Sequence, residues 1–510
     1  MTEQQQGNGM DARDKASPRQ GVARPWRILE GSITPRTLIR GWILLAASSI
    51  GLVSLAGSPG TVGSAAISPD TLEQTGPTGS LATSSDPDPD EGIHHFRSRH
   101  FIVHTDLDET AYRQRLAAME KVIQLASRYW GERLSSPIEC YLVEDMDRWK
   151  AADLPSPLVL RVLRHLGGGT DLKTVQRSRS QSGRTPARPV VYATTKLGVV
   201  EHEVVHAYCF QTFGHGGPDW YREGMAELFA QWVVGRSPES TQHESLARLR
   251  TVPDIRTRAI VTQSLRAEQL RASLARESQA TTPAAWHWTA ADERTLEQAQ
   301  LAYAQSWALC SLLTQHERYR ERFRTLGRHW LQGGLATFDE SFGGAEAEID
   351  FELSRFVSHY EDGYRVDLVA WPWSAEPRPL SMGEEVTIRV AACRGFQATR
   401  VAVAKGEQYR ISVEGTWHLD PQRASVHGAG VSDEASLAAD AKSREGLLGL
   451  ALMRDYRLVH ESPLEQAGSQ DSGVPWSPDE AGHLLVRCLE PWHKLSDNRG
   501  VVSVRILRLR

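Results

Sequence analysis

Residues 199–210 read VVEHEVVHAYCF, with two valines lying between histidines 202 and 206. On an α-helix, positions i and i+4 share one face, so His202 and His206 can converge on a single cation. Neutral imidazole is a preferred zinc ligand. Glu203 projects toward the open side of such a metal and can take a proton from a water held there. Two ligands and a base thus fit within one turn. By chance alone HExxH arises in roughly one chain of this length in a hundred, so the flanking residues decide the reading. They place the helix after a β-branched run, PVVYAT (189–194), and before a second helical stretch, which makes this part of the chain α+β.

A catalytic zinc needs three protein ligands and an open position. The second stretch, GPDWYREGMAELFAQWV (217–233), starts a helix after Gly217-Pro218 and carries Glu223 and, four positions on, Glu227. One carboxylate can bind the metal while the other receives the N–H of a ligand imidazole and fixes the ring. The assignment is Glu223 as ligand and Glu227 as support, with the exchanged roles as the alternative.

Upstream, RHFIVHTD (99–106) alternates like a strand, TAYRQRLAAMEKVIQLASRYWGERL (110–134) has helical spacing, and IECYLVED (138–145) reads as a second strand. A Gly-, Ser- and Arg-rich stretch between Leu163 and Arg188 reads as a mobile loop. Downstream, residues 293–331 and 344–360 are helical in pattern. His94, His95, His100 and His104 share no helical face and no evident carboxylate partner, so they read as strand and surface residues.

HEVVH followed by DWYREGMAELFA resembles the gluzincin class of zinc metallopeptidases, and most nearly the bacterial peptidase-MA-like domains. SRHFIVHTD and YAQSWALCSLL extend the similarity over about residues 96–360. The resemblance implies peptide hydrolysis and a strand beside the metal that pairs with substrate backbone, for which Pro189–Ala193 is the candidate. It also points to Tyr303 as an oxyanion donor, with His215 as the alternative and helix packing as the competing role of Tyr303. The Gly-x-Met-x-Asn signature of aminopeptidase gluzincins is absent, which favours an endopeptidase.

The 510 residues exceed one ordinary core, so two or three domains are expected. A net charge of −5, without a dense basic cluster interleaved with aromatics, argues against a nucleic-acid partner. Five scattered cysteines form no CxxC pair. Cys393 with Cys488 is the one pairing that a single C-terminal module would allow. Residues 1–40 are basic, and GWILLAASSIGLVSLAG (41–57) carries no charge. A basic flank before a short apolar run is the pattern of a signal anchor or an export signal. Ser54-Leu55-Ala56 offers a cleavage point. The expectation is a single pass through the inner membrane with the bulk outside the cytoplasm, or a secreted or periplasmic protein if the signal is removed. Residues 58–92, rich in Gly, Ser, Thr, Pro and Asp, read as a disordered linker.

Beyond the breaker-rich WPWSAEPRP (371–379), short alternating runs begin: VTIRVAAC, RVAVA, QYRISVEG, LLVRCL and VVSVRILRL. They read as an all-β sandwich. RVAVAKGEQYRISVEGTW, GLLGLAL and GHLLVRCLEPWHKLSDNRGVVSVRI resemble, in this order, the galactophilic bacterial lectins. That family implies Ca²⁺ and glycan binding at Asp497 and Asn498. Lys494 and Arg499 beside them favour a plain tight turn instead.

The expected architecture is therefore multidomain. An α+β gluzincin-like metallopeptidase domain spans 93–363, a linker spans 364–386, and a lectin-like sandwich spans 387–510. The expected function is zinc-dependent peptide hydrolysis, with His202, His206 and Glu223 on the metal and Glu203 as base. Its rivals are an inactive zinc-stabilised scaffold and a carbohydrate-binding surface protein.

Overall fold

The computed structural model describes residues 92–150, 154, 158–173, 188–235, 248–249, 252, 255–263, 265, 269–270, 272–274, 289–419, 426–427, 445–464 and 473–510. The expected basic segment, apolar run and linker up to residue 91 lie outside them. Among the described residues, no helix is long and apolar enough to cross a membrane. The architecture is mixed, with several helices and sheets.

The first sheet has the order β1-β2-β3-β5-β4. It comprises β1 (His94–Arg97), β2 (Phe101–Thr105), β3 (Ile138–Val143), β4 (Gly168–Lys173) and β5 (Arg188–Thr194). β2, β3 and β5 run parallel, whereas β1 and β4 are antiparallel to their neighbours. Parallel neighbours need a crossover, and α1 (Glu109–Trp130) supplies it between β2 and β3. Asp108 caps α1 by accepting the Ala111 N–H at 2.9 Å, and Gly131 ends it with φ 80°.

Two expectations change here. The stretch 163–188 is not wholly a loop: α2 (Leu158–Leu166) and β4 occupy its first part, and 174–187 lie outside the described residues. GGTDLK shows no alternation, so nothing in its pattern announces a strand. Two of the four histidines read as lacking a carboxylate partner have one. His100 Nδ1 lies 2.5 Å from Glu120, and His104 Nε2 lies 3.8 Å from Glu139.

The helical layer contains α3 (Val199–Phe213), α4 (Asp219–Val234), α5 (Thr257–Thr262), α6 (Ala290–Gln315), α7 (Arg320–Leu331), α8 (Phe338–Phe342), α9 (Glu346–His359) and α10 (Val366–Val369). α4 and α6 approach closely at Gly224. A Cβ there would lie 2.5 Å from Ser306 O and 2.6 Å from Cys310 Sγ. Only glycine permits that distance.

The C-terminal part is a two-sheet sandwich, as its alternating runs suggested. One sheet orders β13 (Arg457–Pro463), β12 (Leu448–Arg454), β15 (Gly482–Cys488), β8 (Gln397–Val403) and β6 (Arg378–Pro379). The other orders β14 (Val474–Trp476), β9 (Tyr409–Glu414), β16 (Val501–Arg508) and β7 (Glu385–Ala391). A small β10–β11 pair (Thr416–Trp417 and Val426–His427) stands apart. Tyr409, Trp417, Leu450, Leu484 and Ile506 are among the residues filling the space between the sheets. All five cysteines are free, so Cys393 and Cys488 form no bridge.

The sandwich is not a separate bead. Along β12, Leu448, Leu450 and Leu452 face the sandwich core, while Ala451 and Met453 join Leu485 in the core of the preceding helix-and-sheet region. β12 is therefore apolar on both faces, and its sequence reads as a run instead of an alternation. The expected linker 364–386 is likewise packed. Trp371 stacks on Phe396 at 5.2 Å and meets Phe351 edge-on at 4.7 Å. Trp373 Nε1 donates to the buried carboxylate of Glu352. Arg487 lies 4.0 Å over the Trp492 ring, which Tyr364 meets at 5.1 Å.

Trp492→Ala should cost about 3–5 kcal/mol, as truncation of a buried tryptophan typically does. Calorimetry should show one transition for both regions, shifted down together. Two separate transitions, with only the sandwich shifted, would show that the shared core does not couple them.

Candidate metal centre

α3 begins at Gly198, whose φ of 92° suits glycine, and Glu201 closes its first turn by accepting the Gly198 N–H at 3.0 Å. The next two turns carry His202, Glu203 and His206. α4 follows after the Gly217-Pro218 turn and returns beside α3, which brings Glu223 to the two imidazoles.

The distances form a compact triangle. His202 Nε2 and His206 Nε2 are 2.9 Å apart, and each lies 3.4 Å from Glu223 Oε2. Ligands at zinc distances on a tetrahedron stand about 3.3 Å apart, so the triangle has the size the ion requires. Glu223 Oε2 is buried and faces both imidazole nitrogens, so the three atoms can turn to one cation. Among the described residues this is the sole group of three His, Cys, Asp or Glu side chains that could hold a metal ion.

Glu227 Oε1 lies 3.2 Å from His202 Nδ1, on the side of the ring away from the triangle. Arg222, which the sequence reading passed over, donates to Glu223 Oε1 at 2.9 Å and pairs with Asp219 at 2.8 Å. Glu203 lies on the same helix with its Oε2 accepting from Thr170 of β4 at 2.7 Å. Nothing in GGTDLK marked Thr170 in advance, because its partner is 33 residues away.

Burial governs the electrostatics, since His202, Glu203, His206 and Glu223 are at most 1% exposed. Burial pushes Glu203 up to about 8, against the opposing effects of His202 and the Thr170 hydrogen bond. It pushes His206 down to about 4 despite Glu223. Burial acts the same way on His202, but Glu227, Glu223 and Glu203 outweigh it and hold that imidazole well above its usual range. For Glu223, burial disfavours ionisation, yet His206 and Arg222 hold the carboxyl well below the ordinary value. A divalent cation would shift this balance toward two neutral imidazoles and an ionised Glu203.

Tyr303 on α6 is buried, its ring centred 6.4 Å from that of His202. His215 is exposed, and its ring lies against Gly333 beyond the end of α7. At the C-terminal turn, Asn498 is fully buried and its Nδ2 donates to Ala392 O at 3.3 Å. Asp497 is exposed. The Arg499 guanidinium donates to the carbonyls of Ser496 and Asn498, at 3.0 and 2.8 Å, taking acceptors a calcium ion would use. Lys494 is paired with Glu445 at 3.3 Å. The expected strand partner of substrate, Pro189–Ala193, is covered on both sides: β5 lies between β3 and β4, and among the described residues β4 is the edge.

No family model matches the chain, and no curated protein matches it. A solved structure titled "EclA N-terminal domain; PllA-like lectin" is similar at 22% identity, covering 24% of this chain and 95% of that one, with a TM-score of 0.19.

Removing the carboxylate behind His202 should loosen the metal without abolishing the site. Glu227→Ala is expected to weaken zinc about 10- to 100-fold in a chelator competition, the usual effect of losing such a partner. Unchanged affinity would mean that Glu227 does not orient the ring.

Proposed function

We propose that this chain is a zinc-dependent peptidase of gluzincin type, cleaving within peptide chains outside the cytoplasm. The observation that carries the reading is the buried triangle of His202, His206 and Glu223 with the Glu203 carboxylate on the same helix. Two imidazole nitrogens and one carboxylate oxygen suit zinc, whereas Ca²⁺ takes six to eight oxygens. When bound, zinc supplies Lewis acidity and an acidified water at neutral pH.

The residues divide the remaining work. His202, His206 and Glu223 hold the ion, Glu227 orients His202, and Arg222 steadies Glu223. Glu203 takes a proton from the attacking water and returns it to the departing amine. Tyr303 is the proposed hydroxyl donor to the developing oxyanion. β4 replaces Pro189–Ala193 as the strand that pairs with extended substrate, because edge strands alone offer unpaired backbone groups. The catalytic region is proposed to span 93–363. Preference for internal bonds rests on the missing Gly-x-Met-x-Asn signature. Export or anchoring is proposed from residues 41–57.

The test is metal analysis of the full chain together with a peptide-library digest, wild type against Glu203→Gln. The variant is expected to keep its zinc and lose two to four orders of magnitude in kcat, about the contribution of general acid–base catalysis. A zinc-loaded wild type that cleaves nothing favours an inactive scaffold. Cleavage preserved in Glu203→Gln would sink the assignment of the base.

A further inference from the structure

We infer that Thr170 is the positioning residue of Glu203, and that Glu203 Oε1 is the oxygen that accepts the proton. The inference rests on the peptidase reading for its chemistry and on the geometry of β4 and α3 for its atoms.

Thr170 Oγ1 lies 2.7 Å from Glu203 Oε2 and 3.0 Å from the Glu203 main-chain oxygen. A hydroxyl has one proton to donate, and with Glu203 ionised beside a bound cation the shorter contact, to its carboxylate, takes it. Oε2 is thereby occupied. Glu203 Oε1 is buried and has no hydrogen-bond partner, so it is the oxygen left for the reacting water. The terminal torsion of a glutamate is broad and two-fold. Without a fixed donor the carboxylate plane would swing over that broad range, and the oxygen facing the water would lose its aim.

Thr170 is well placed for this task. It is 1% exposed and opposite Val191 in the β4–β5 ladder, so its backbone is held by the sheet. Gly168, two residues earlier on the same face, allows the strand to come this close. A Cβ there would lie 2.6 Å from Val199 Cγ1 and 3.3 Å from Glu203 Cγ. β4 is also the edge strand, so the donor that aims the base belongs to the element that would receive the peptide.

The experiment compares wild type, Thr170→Val and Thr170→Ser in the full chain by four readouts. These are zinc content, thermal unfolding, kcat and KM on one peptide, and affinity for acetohydroxamate, a zinc ligand whose hydroxyl proton goes to the base. Hydrogen bonds to charged groups correspond to roughly ten- to hundredfold effects. Thr170→Val should therefore retain zinc, lose at least about tenfold in kcat with KM little changed, and bind acetohydroxamate about tenfold more weakly. Thr170→Ser should return both values to within about threefold of wild type, which a packing role of the methyl would not produce. Wild-type kcat and hydroxamate affinity in zinc-loaded Thr170→Val would overturn the inference, as would a folded Thr170→Ser as impaired as the valine variant. Hydroxamate effects as expected, in a protein that cleaves no peptide, would uphold the positioning role and remove the peptidase reading instead.

Discussion

An ionised carboxylate without solvent contact must be compensated from inside the protein, because the uncompensated transfer is prohibitively unfavourable. Glu223 is such a group. Arg222 takes one of its oxygens, and the two imidazoles flank the other. Much of the region around the candidate metal centre can be understood as the means of bringing these partners together. α3 and α4 must pack side by side, and α4 can do so against α6 only because Gly224 has no side chain. The sheet must also present β4 close enough for Thr170 to reach Glu203.

Residues local to one helix were the most legible in the sequence. His202, Glu203 and His206 are related by helical geometry alone, so their convergence follows once α3 is recognised. Glu223 and Glu227 needed one further step, a turn at Gly217-Pro218, and their spacing of four carried the rest. Contacts between distant elements left no local trace. Thr170 lies in a strand with no apolar pattern, and Arg222 is an ordinary helical residue until its neighbour is known to be buried. The edge position of β4 could not be read at all, since sheet order is a property of pairing and not of composition.

In the sandwich, the legible strands were those with one dry and one wet face, where alternation survives. β7, with its exposed-to-intermediate rhythm over EVTIRVA, is one of these. β12 was legible only through resemblance, because burial on both sides removes the alternation. The linker misled for a related reason. Its prolines suggested an open connection, whereas Trp371 and Trp373, on either side of Pro372, are anchored against Phe351, Phe396 and Glu352. Prolines mark where a helix cannot continue, not whether the segment is packed.

The two-sided burial of β12 bears on how such a protein can change over evolutionary time. A β-sandwich tied to its neighbour by a flexible tether can be exchanged wholesale for another cassette, since neither partner depends on the other's surface. Here a replacement would have to reproduce the patch formed by Ala451, Met453 and Leu485 or leave the helical layer with a greasy scar. Recombination at this junction is thus constrained by shape.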